Sequence, residues 1–221
     1  MTDMHCHILF GVDDGAKSID ISLELLKQEI ANNVKNIILT PHQNKEEKNL
    51  ELILNNYNIL KEKAKDLDIN IGLGSEIYYY EGMISDLKNN NLLTFNGTKN
   101  VLIEFSTRME TTVLDVMGDL ITLGYKPIIA HIERYYYLDK KEYLKLNEMG
   151  VKIQVNTKTF GDKHFKKNLK FLLKNNLIDY IGTDCHNLNS RGIEYKEMLD
   201  VLKKYPKEYD KLVNNDYYFN E

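Results

Sequence analysis

Six histidines are spread over 221 residues, and five of them share one kind of position. His5, His7, His42, His131 and His186 each fall at, or just past, the C-terminal end of a short apolar or β-branched run. Carboxylates repeat the placement. Glu76, Glu104 and Asp184 end or follow such runs, and Asp13 and Asp14 lie in the loop after the first. In His5-Cys6-His7 the spacing of two sets both imidazoles on one side of a strand and the thiol on the other. Neutral imidazoles side by side chelate a divalent ion, and neighbouring carboxylates bridge further ones. This mixture of donors suits Mn2+, Fe2+ or Zn2+, and thiolate-rich structural zinc ligation is not on offer. Taken singly, a strand-end His is usually a packing residue and an Asp-Asp-Gly run usually a turn. Five histidines in equivalent positions are a pattern that packing does not explain.

The arginines add a second signal. Only Arg108, Arg134 and Arg191 stand among 29 basic residues, and they follow Glu104, His131 and His186 by four, three and five positions. A guanidinium fork matches phosphate or carboxylate oxygens in a way an ammonium does not. Arg134 and Arg191 are therefore expected to hold an anionic substrate, while Arg108 is evenly balanced between site and surface.

These residues need elements to bring them together. Runs at 2–6, 35–40, 69–75, 101–105, 126–130, 152–156 and 178–183 read as strands. Amphipathic patterns at 17–33, 46–66, 81–90, 110–124, 140–149, 163–176 and 191–204 read as helices, with Ser18 as the N-cap of the first. Such alternation implies parallel strands with right-handed crossovers, and about seven βα units fit a closed or nearly closed barrel. Every βα loop of a barrel opens at one end, so residues from 5 to 186 can converge on a single mouth. His164 lies in a helical pattern and reads as a solvated surface residue. No Gly-x-Gly-x-x-Gly or P-loop sequence supports a dinucleotide fold.

Composition narrows the class. At 43% hydrophobic and 28% charged, the chain can build a core, and 1–221 reads as one domain. The balance of 29 basic and 33 acidic residues leaves −4 and a pI near 5.9, without the broad basic surface that nucleic acid requires. No apolar run reaches the ~18–20 residues of a membrane span, and no signal-like segment opens the chain. Two cysteines, Cys6 and Cys185, are too few for a disulfide framework, so a reduced, cytoplasmic protein is expected.

Six segments together resemble a known family. They are Asp3-Met4-His5-Cys6-His7, Asp13-Asp14-Gly15-Ala16, Thr40-Pro41-His42-Gln43, Gly74-Ser75-Glu76-Ile77-Tyr78-Tyr79, Ala130-His131-Ile132-Glu133-Arg134-Tyr135, and Thr183-Asp184-Cys185-His186-Asn187-Leu188 with Arg191. In this order they resemble the polymerase-and-histidinol-phosphatase (PHP) superfamily, in its bacterial tyrosine-protein phosphatase branch of the CpsB/YwqE type. The resemblance implies a distorted (β/α)7 TIM-like barrel with a trinuclear centre, manganese first, with iron or zinc as alternatives. Carried over, His5, His7, Glu76 and Asp184 look like ligands of one metal. Glu76, Glu104 and His131 look like those of a second, and Asp14, His42 and His186 those of a third. Arg134 and Arg191 resemble the family's phosphate-binding arginines, and Arg108 has no counterpart. Ile132 stands where a proline is usual, and Cys6 and Cys185 replace commoner small or apolar residues; neither departure removes a ligand.

The expected reaction is hydrolysis of phosphotyrosine by a metal-activated hydroxide, with Arg134 and Arg191 gripping the phosphoryl oxygens. The implied substrate is the Tyr-rich tail of a bacterial kinase that regulates capsule or exopolysaccharide synthesis, and self-association at the barrel rim is implied as well. Tyr78-Tyr79-Tyr80 and Tyr135-Tyr136-Tyr137 either wall a phosphotyrosine ring or pack loop against barrel, and packing is favoured for most of the six. Three rivals remain. A small phosphomonoester such as histidinol phosphate could be the substrate. The chain could be a metal-stabilised phosphotyrosine-binding module without turnover. Finally, Cys185 and Arg191 have the Cys-x5-Arg spacing of thiolate phosphatases, although the intervening residues contain no glycine.

Overall fold

The computed structural model describes residues 1–108 and 112–214. The expected helix start at 110 and 111 lies outside the described residues. All seven strand runs form: β1 (Thr2–Cys6), β2 (Asn36–Leu39), β4 (Asn70–Leu73), β6 (Asn100–Glu104), β7 (Lys126–Ile129), β8 (Lys152–Asn156) and β9 (Tyr180–Gly182). Two short strands were not anticipated. Beyond Thr40-Pro41 the chain re-enters the sheet as β3 (His42–Gln43), and beyond Gly74-Ser75 as β5 (Glu76–Tyr78). Pro41 has no N–H for the ladder, which accounts for the first break. Each break delivers a candidate ligand, His42 or Glu76, at the start of the new strand.

Every pairing is parallel, in the orders β1-β2-β4 and β3-β5-β6-β7-β8-β9. The chain after β9 then returns to β1. Asp184 N donates to His5 O and His7 N to Cys185 O, both at 2.8 Å. The sheet is thereby curled into the barrel type expected, and its two ends meet at the ligand-bearing strand. Gly182 is required at this seam, because a Cβ there would collide with the Cβ of His5.

Strand alternation sorts the side chains into layers. Val101, Ile103, Ile129, Ile153 and Val155 pack with Val116, Met117, Leu120, Leu146 and Leu172 of the covering helices. Ile37 and Leu39 meet Leu25, Leu26, Ile53 and Leu60. The intervening positions Ile38, Leu102 and Ile128 form a separate cluster with Met4, Phe95 and Tyr180. Burying one such side chain contributes about 1.5–3 kcal/mol. Two residues on from Leu102 the same face carries Glu104, so the inner surface passes from apolar to ionisable toward the strand C-termini.

The helices flank this sheet: α1 (Ile19–Ala31), α2 (Leu50–Lys63), α3 (Met83–Lys88), α4 (Val113–Thr122), α5 (Lys140–Glu148), α6 (Lys166–Lys174) and α7 (Lys196–Leu202). Ser18 caps α1, accepting from Ile21 N at 3.4 Å. His164 is exposed as expected but sits in the turn before α6 rather than in a helix. A further short helix, α8 (Pro206–Tyr209), follows the last expected one. Among the described residues no helix is long and apolar enough to cross a membrane.

Candidate metal centre

Glu76, the first residue of β5, is the hub of the mouth. Its Oε2 lies 3.2 Å from His5 Nε2, 3.3 Å from His7 Nε2 and 3.1 Å from His42 Nδ1, while Oε1 lies 2.9 Å from His131 Nε2. Glu104 Oε1 is 3.6 Å from the same His131 nitrogen. Asp184 Oδ1 lies 3.6 Å from His7 Nε2 and 3.5 Å from His186 Nδ1. Asp14 Oδ1 approaches His42 Nε2 at 3.4 Å and His186 Nε2 at 3.2 Å. Imidazole centroids are 3.9 Å apart for His7 and His186, 4.3 Å for His7 and His42, and 5.7 Å for His5 and His131.

All nine residues singled out as ligands meet in this one region. Among the described residues, eight of the nine offer donor atoms in three groups, each within 4.8 Å: His7, Asp14, His42 and His186; His5, His7 and Asp184; His42, Glu76 and Glu104. The grouping differs from the expected one at two rings. His7 joins the third set as well as the first, and His42 stands beside Glu76 and Glu104 in addition to His131, whose Nε2 lies 2.9 and 3.6 Å from them.

Three rings are pinned on the side away from the cluster. His7 Nδ1 pairs with Asp13 Oδ2 at 2.8 Å, His186 Nδ1 with the Asp184 carbonyl at 2.9 Å, and His5 Nδ1 with Gln154 Oε1 at 3.2 Å. Each oxygen favours a proton on Nδ1, which leaves the Nε2 lone pair for a cation. Among the described residues the buried Nε2 of His186 makes no hydrogen bond, although Asp14 Oδ1 lies 3.2 Å from it. Asp13, in the sequence a turn-like residue without an assigned role, is distinguished by its approach to His7, six positions away. Its Oδ2 also accepts from His42 N at 3.0 Å, and its Oδ1 from Gly15 N at 2.8 Å. Gly15 must lack a Cβ, which would run into the His7 backbone.

The electrostatics call for added positive charge. Burial opposes ionisation of Glu76 and Asp184, yet the facing histidines, with Arg134 at Asp184, hold both below the usual carboxylate range. Burial and the Glu76 charge push Glu104 up. Burial works against a charge on His7, but Asp13 and Glu76 outweigh it and lift the ring to about 10. Burial and then the His7 charge drive His186 down to about 4. Carboxylates and imidazole lone pairs at this density fit borderline divalent cations. Two of the nine, His131 (φ +29°) and Asp184 (φ +52°), occupy the left-handed region, where non-glycine residues are strained and cluster at functional sites.

The two arginines lie on the rim. Arg134 Nη2 donates to Asp184 Oδ2 at 2.6 Å; Arg191 donates to Asp184 Oδ1 at 3.2 Å and to Asp14 Oδ2 at 3.1 Å. Both line a cavity of about 230 Å3 with Asn156, Lys158, Thr159 and Phe165. On the other flank, Tyr78, Tyr79, Tyr80, His42, Lys45 and Glu104 line a groove of about 470 Å3. Most of the tyrosines pack. Tyr135 is buried and accepts from Phe105 N, Tyr137 donates to Ser106 O, and Tyr80 donates to Asp86. Tyr78 and Tyr136 remain exposed, the latter stacked on Phe165. Arg108 is exposed on the loop after β6, and its side chain has no partner among the described residues. Cys185 is fully buried, and burial, then the charges of Glu29 and Asp3, push its thiol up to about 12, which disarms it as a nucleophile.

A family model described as capsular polysaccharide synthesis, CpsB/CapC, matches residues 1–217. The chain belongs to the CpsB/CapC family. Within it, this CpsB/CapC member is 38% identical over 208 residues to the tyrosine-protein phosphatase CpsB of Streptococcus agalactiae, covering 86% of this chain and 85% of that protein. It is 33% identical over 218 residues to the tyrosine-protein phosphatase YwqE of Bacillus subtilis, covering 92% and 84%. Among solved structures it matches one from work on YwqE of B. subtilis and CpsB of Streptococcus pneumoniae, described as metal-dependent tyrosine phosphatases. The TM-score is 0.85 at 28% identity, over 100% of this chain and 97% of that one. Histidinol phosphate phosphatase of Lactococcus lactis shares the fold, with a TM-score of 0.64 at 16% identity over 93% and 92%.

Proposed function

We propose that this CpsB/CapC member is a metal-dependent protein-tyrosine phosphatase, acting as one catalytic unit over residues 1–221. The observation that carries the reading is the convergence of nine ionisable side chains on one mouth, with Glu76 as their hub and two arginines on the same rim. His5, His7, Glu76 and Asp184 would hold one ion, Glu76, Glu104 and His131 a second, and Asp14, His42 and His186 a third, with manganese favoured over iron or zinc. Bound ions supply neutralisation of phosphoryl charge and acidification of water.

The chain's own groups supply the rest. Arg134 and Arg191 present planar forks toward the 230 Å3 cavity and orient the phosphoryl oxygens while remaining tied to Asp184. The groove of Tyr78, Tyr79 and Tyr80 receives the substrate ring. A phenolate leaves with little protonic help because the tyrosine pKa is about 10, so a general acid is less necessary here than for an alkyl phosphate. The substrate is then a phosphotyrosine protein, for which a cytoplasmic kinase segment regulating capsule synthesis is the fitting class; self-association at the rim belongs to the same proposal.

Hydrolysis of a phosphotyrosine peptide before and after chelation, with Mn2+ added back, tests this. Phosphoserine peptide and histidinol phosphate run beside it. Activity lost on chelation, restored by Mn2+ and greatest on phosphotyrosine is expected, and His5→Ala or Asp184→Ala should abolish it. Preference for histidinol phosphate would move the substrate class, and chelator-resistant turnover would sink the metal reading.

A further inference from the structure

Of the strand lines that reach the mouth, β8 alone brings no ligand. Its inward residues are amides, Gln154 and Asn156, both buried. Gln154 Oε1 accepts from the backbone N–H of His131 at 2.7 Å and faces His5 Nδ1 at 3.2 Å. Gln154 Nε2 donates to Asn156 Oδ1 at 2.8 Å, and Asn156 Nδ2 donates to Asp184 Oδ2 at 3.0 Å. The backbone donor decides the sense of the whole chain. An N–H cannot accept, so the Gln154 atom opposite it must be the carbonyl oxygen, which fixes the amide orientation. His5 must then carry its proton on Nδ1, and Asn156 must turn its N–H toward the carboxylate.

The relay touches the two strained residues. His131 and Asp184 are both left-handed, a strained conformation that persists where surrounding bonds over-determine it. Gln154 holds the N–H of the first and Asn156 an oxygen of the second. The end of β8 is itself anchored, since Asn156 N and Thr159 Oγ1 both donate to Glu133 Oε1, at 3.1 and 2.6 Å.

We infer that Gln154 and Asn156 are positioning residues that preorganise a divalent-cation site by setting the His5 tautomer, the His131 turn and the Asp184 rotamer together. The inference rests on the metal reading above. Its effect belongs to cation affinity rather than to folding alone.

The test is Mn2+ binding to the purified full chain, read by the electron paramagnetic resonance signal of free Mn2+, with circular dichroism reporting the fold. Gln154→Met and Asn156→Ala should each weaken binding of at least one ion by ~10–100-fold, the range for lost outer-shell partners. The double variant should lose no more than the worse single, because either cut opens the same chain. Wild-type affinity in the folded single variants, or fully additive losses, would overturn the relay. Should Gln154→Met fail to fold, Asn156→Ala decides by the same criterion. A wild-type chain that binds none of Mn2+, Fe2+ or Zn2+ would instead overturn the metal reading.

Discussion

Arg134 Nη2 donates to Asp184 Oδ2 at 2.6 Å, the shortest bond either arginine makes to a candidate ligand. Asp184 thus orders the Arg134 guanidinium on the rim, and it accepts from Arg191 as well. Burial disfavours the Arg134 charge, but Asp184 and Glu133 outweigh it and hold the group protonated.

Arg134→Lys keeps the charge and loses the fork, so it separates geometry from electrostatics. Steady-state kinetics on a phosphotyrosine peptide should show kcat/KM down by ~10²–10³, the cost of one electrostatic contact to a transition state. Unchanged kinetics would remove Arg134 from the phosphoryl-binding role.

Cys185→Ser tests the thiolate alternative. With the thiol pushed up to about 12 and buried behind the ligand strand, the variant should retain most of its metal-dependent turnover. Complete loss in a folded variant would revive the Cys-x5-Arg reading.

The His7–Asp13 pair predicts a pH signature for chelated protein. His7 is raised from 6.5 to about 10, so its contribution to stability is full below pH 6.5 and disappears as pH climbs through about 10. Asp13 is lowered from 3.8 to about 2, burial being outweighed by His7, so its share is present above pH 3.8 and lost as pH falls through about 2. Thermal melts in chelator should show Tm falling between pH 6.5 and 10, and Asp13→Asn should flatten that fall. Because a cation displaces the His7 proton, Mn2+ affinity should rise across the same window. A chelated wild type whose Tm is level there would contradict the pairing.

Glu208 gives a prediction remote from the mouth. It is 2% exposed on α8, and among the described residues neither carboxylate oxygen has a hydrogen-bond partner. Burial, partly offset by Lys211, raises it from 4.5 to about 7. Its raised value makes the contribution full below pH 4.5 and lost as pH rises through about 7. Glu208→Gln mimics the protonated acid, so it should be neutral at pH 4.5 and stabilising at pH 8, by ~2–4 °C in Tm for each kcal/mol in a chain this size. Calorimetry at the two pH values checks it, and equal Tm values at pH 8 would count against the buried charge.

Much of the site was legible because period and position carry it. A strand exposes every second residue to one face, so His5 and His7 were paired by counting, and parallel βα units bring every strand's C-terminal end to one mouth. Length and alternation therefore pointed to the fold class, position singled out the histidines and carboxylates of the mouth, and the family resemblance narrowed these to nine ligands. Gln154 and Asn156 escaped notice, and Asp13 was noticed but given no role, because nothing local marks them. An Asp before Asp-Gly reads as a turn, and Gln-Val-Asn reads as an ordinary strand with two polar residues. Their roles arise from contacts across 6, 149 and 28 positions, to His7, His5 and Asp184.

The full grouping of ligands was equally out of reach, since His42 joins His131 beside Glu76 and Glu104 only because the chain breaks at Pro41 and re-enters the sheet. So was the standing of each proton: His7 and His186 have the same side chain, yet a carboxylate lifts one and burial beside a charged neighbour lowers the other. The sequence by itself determined which atoms could meet, because covalent periodicity fixes direction along a strand. Only the tertiary structure decided which atoms do meet and in what state of charge, because distance and burial, to which hydrogen bonds and charges respond, are properties of the packed fold.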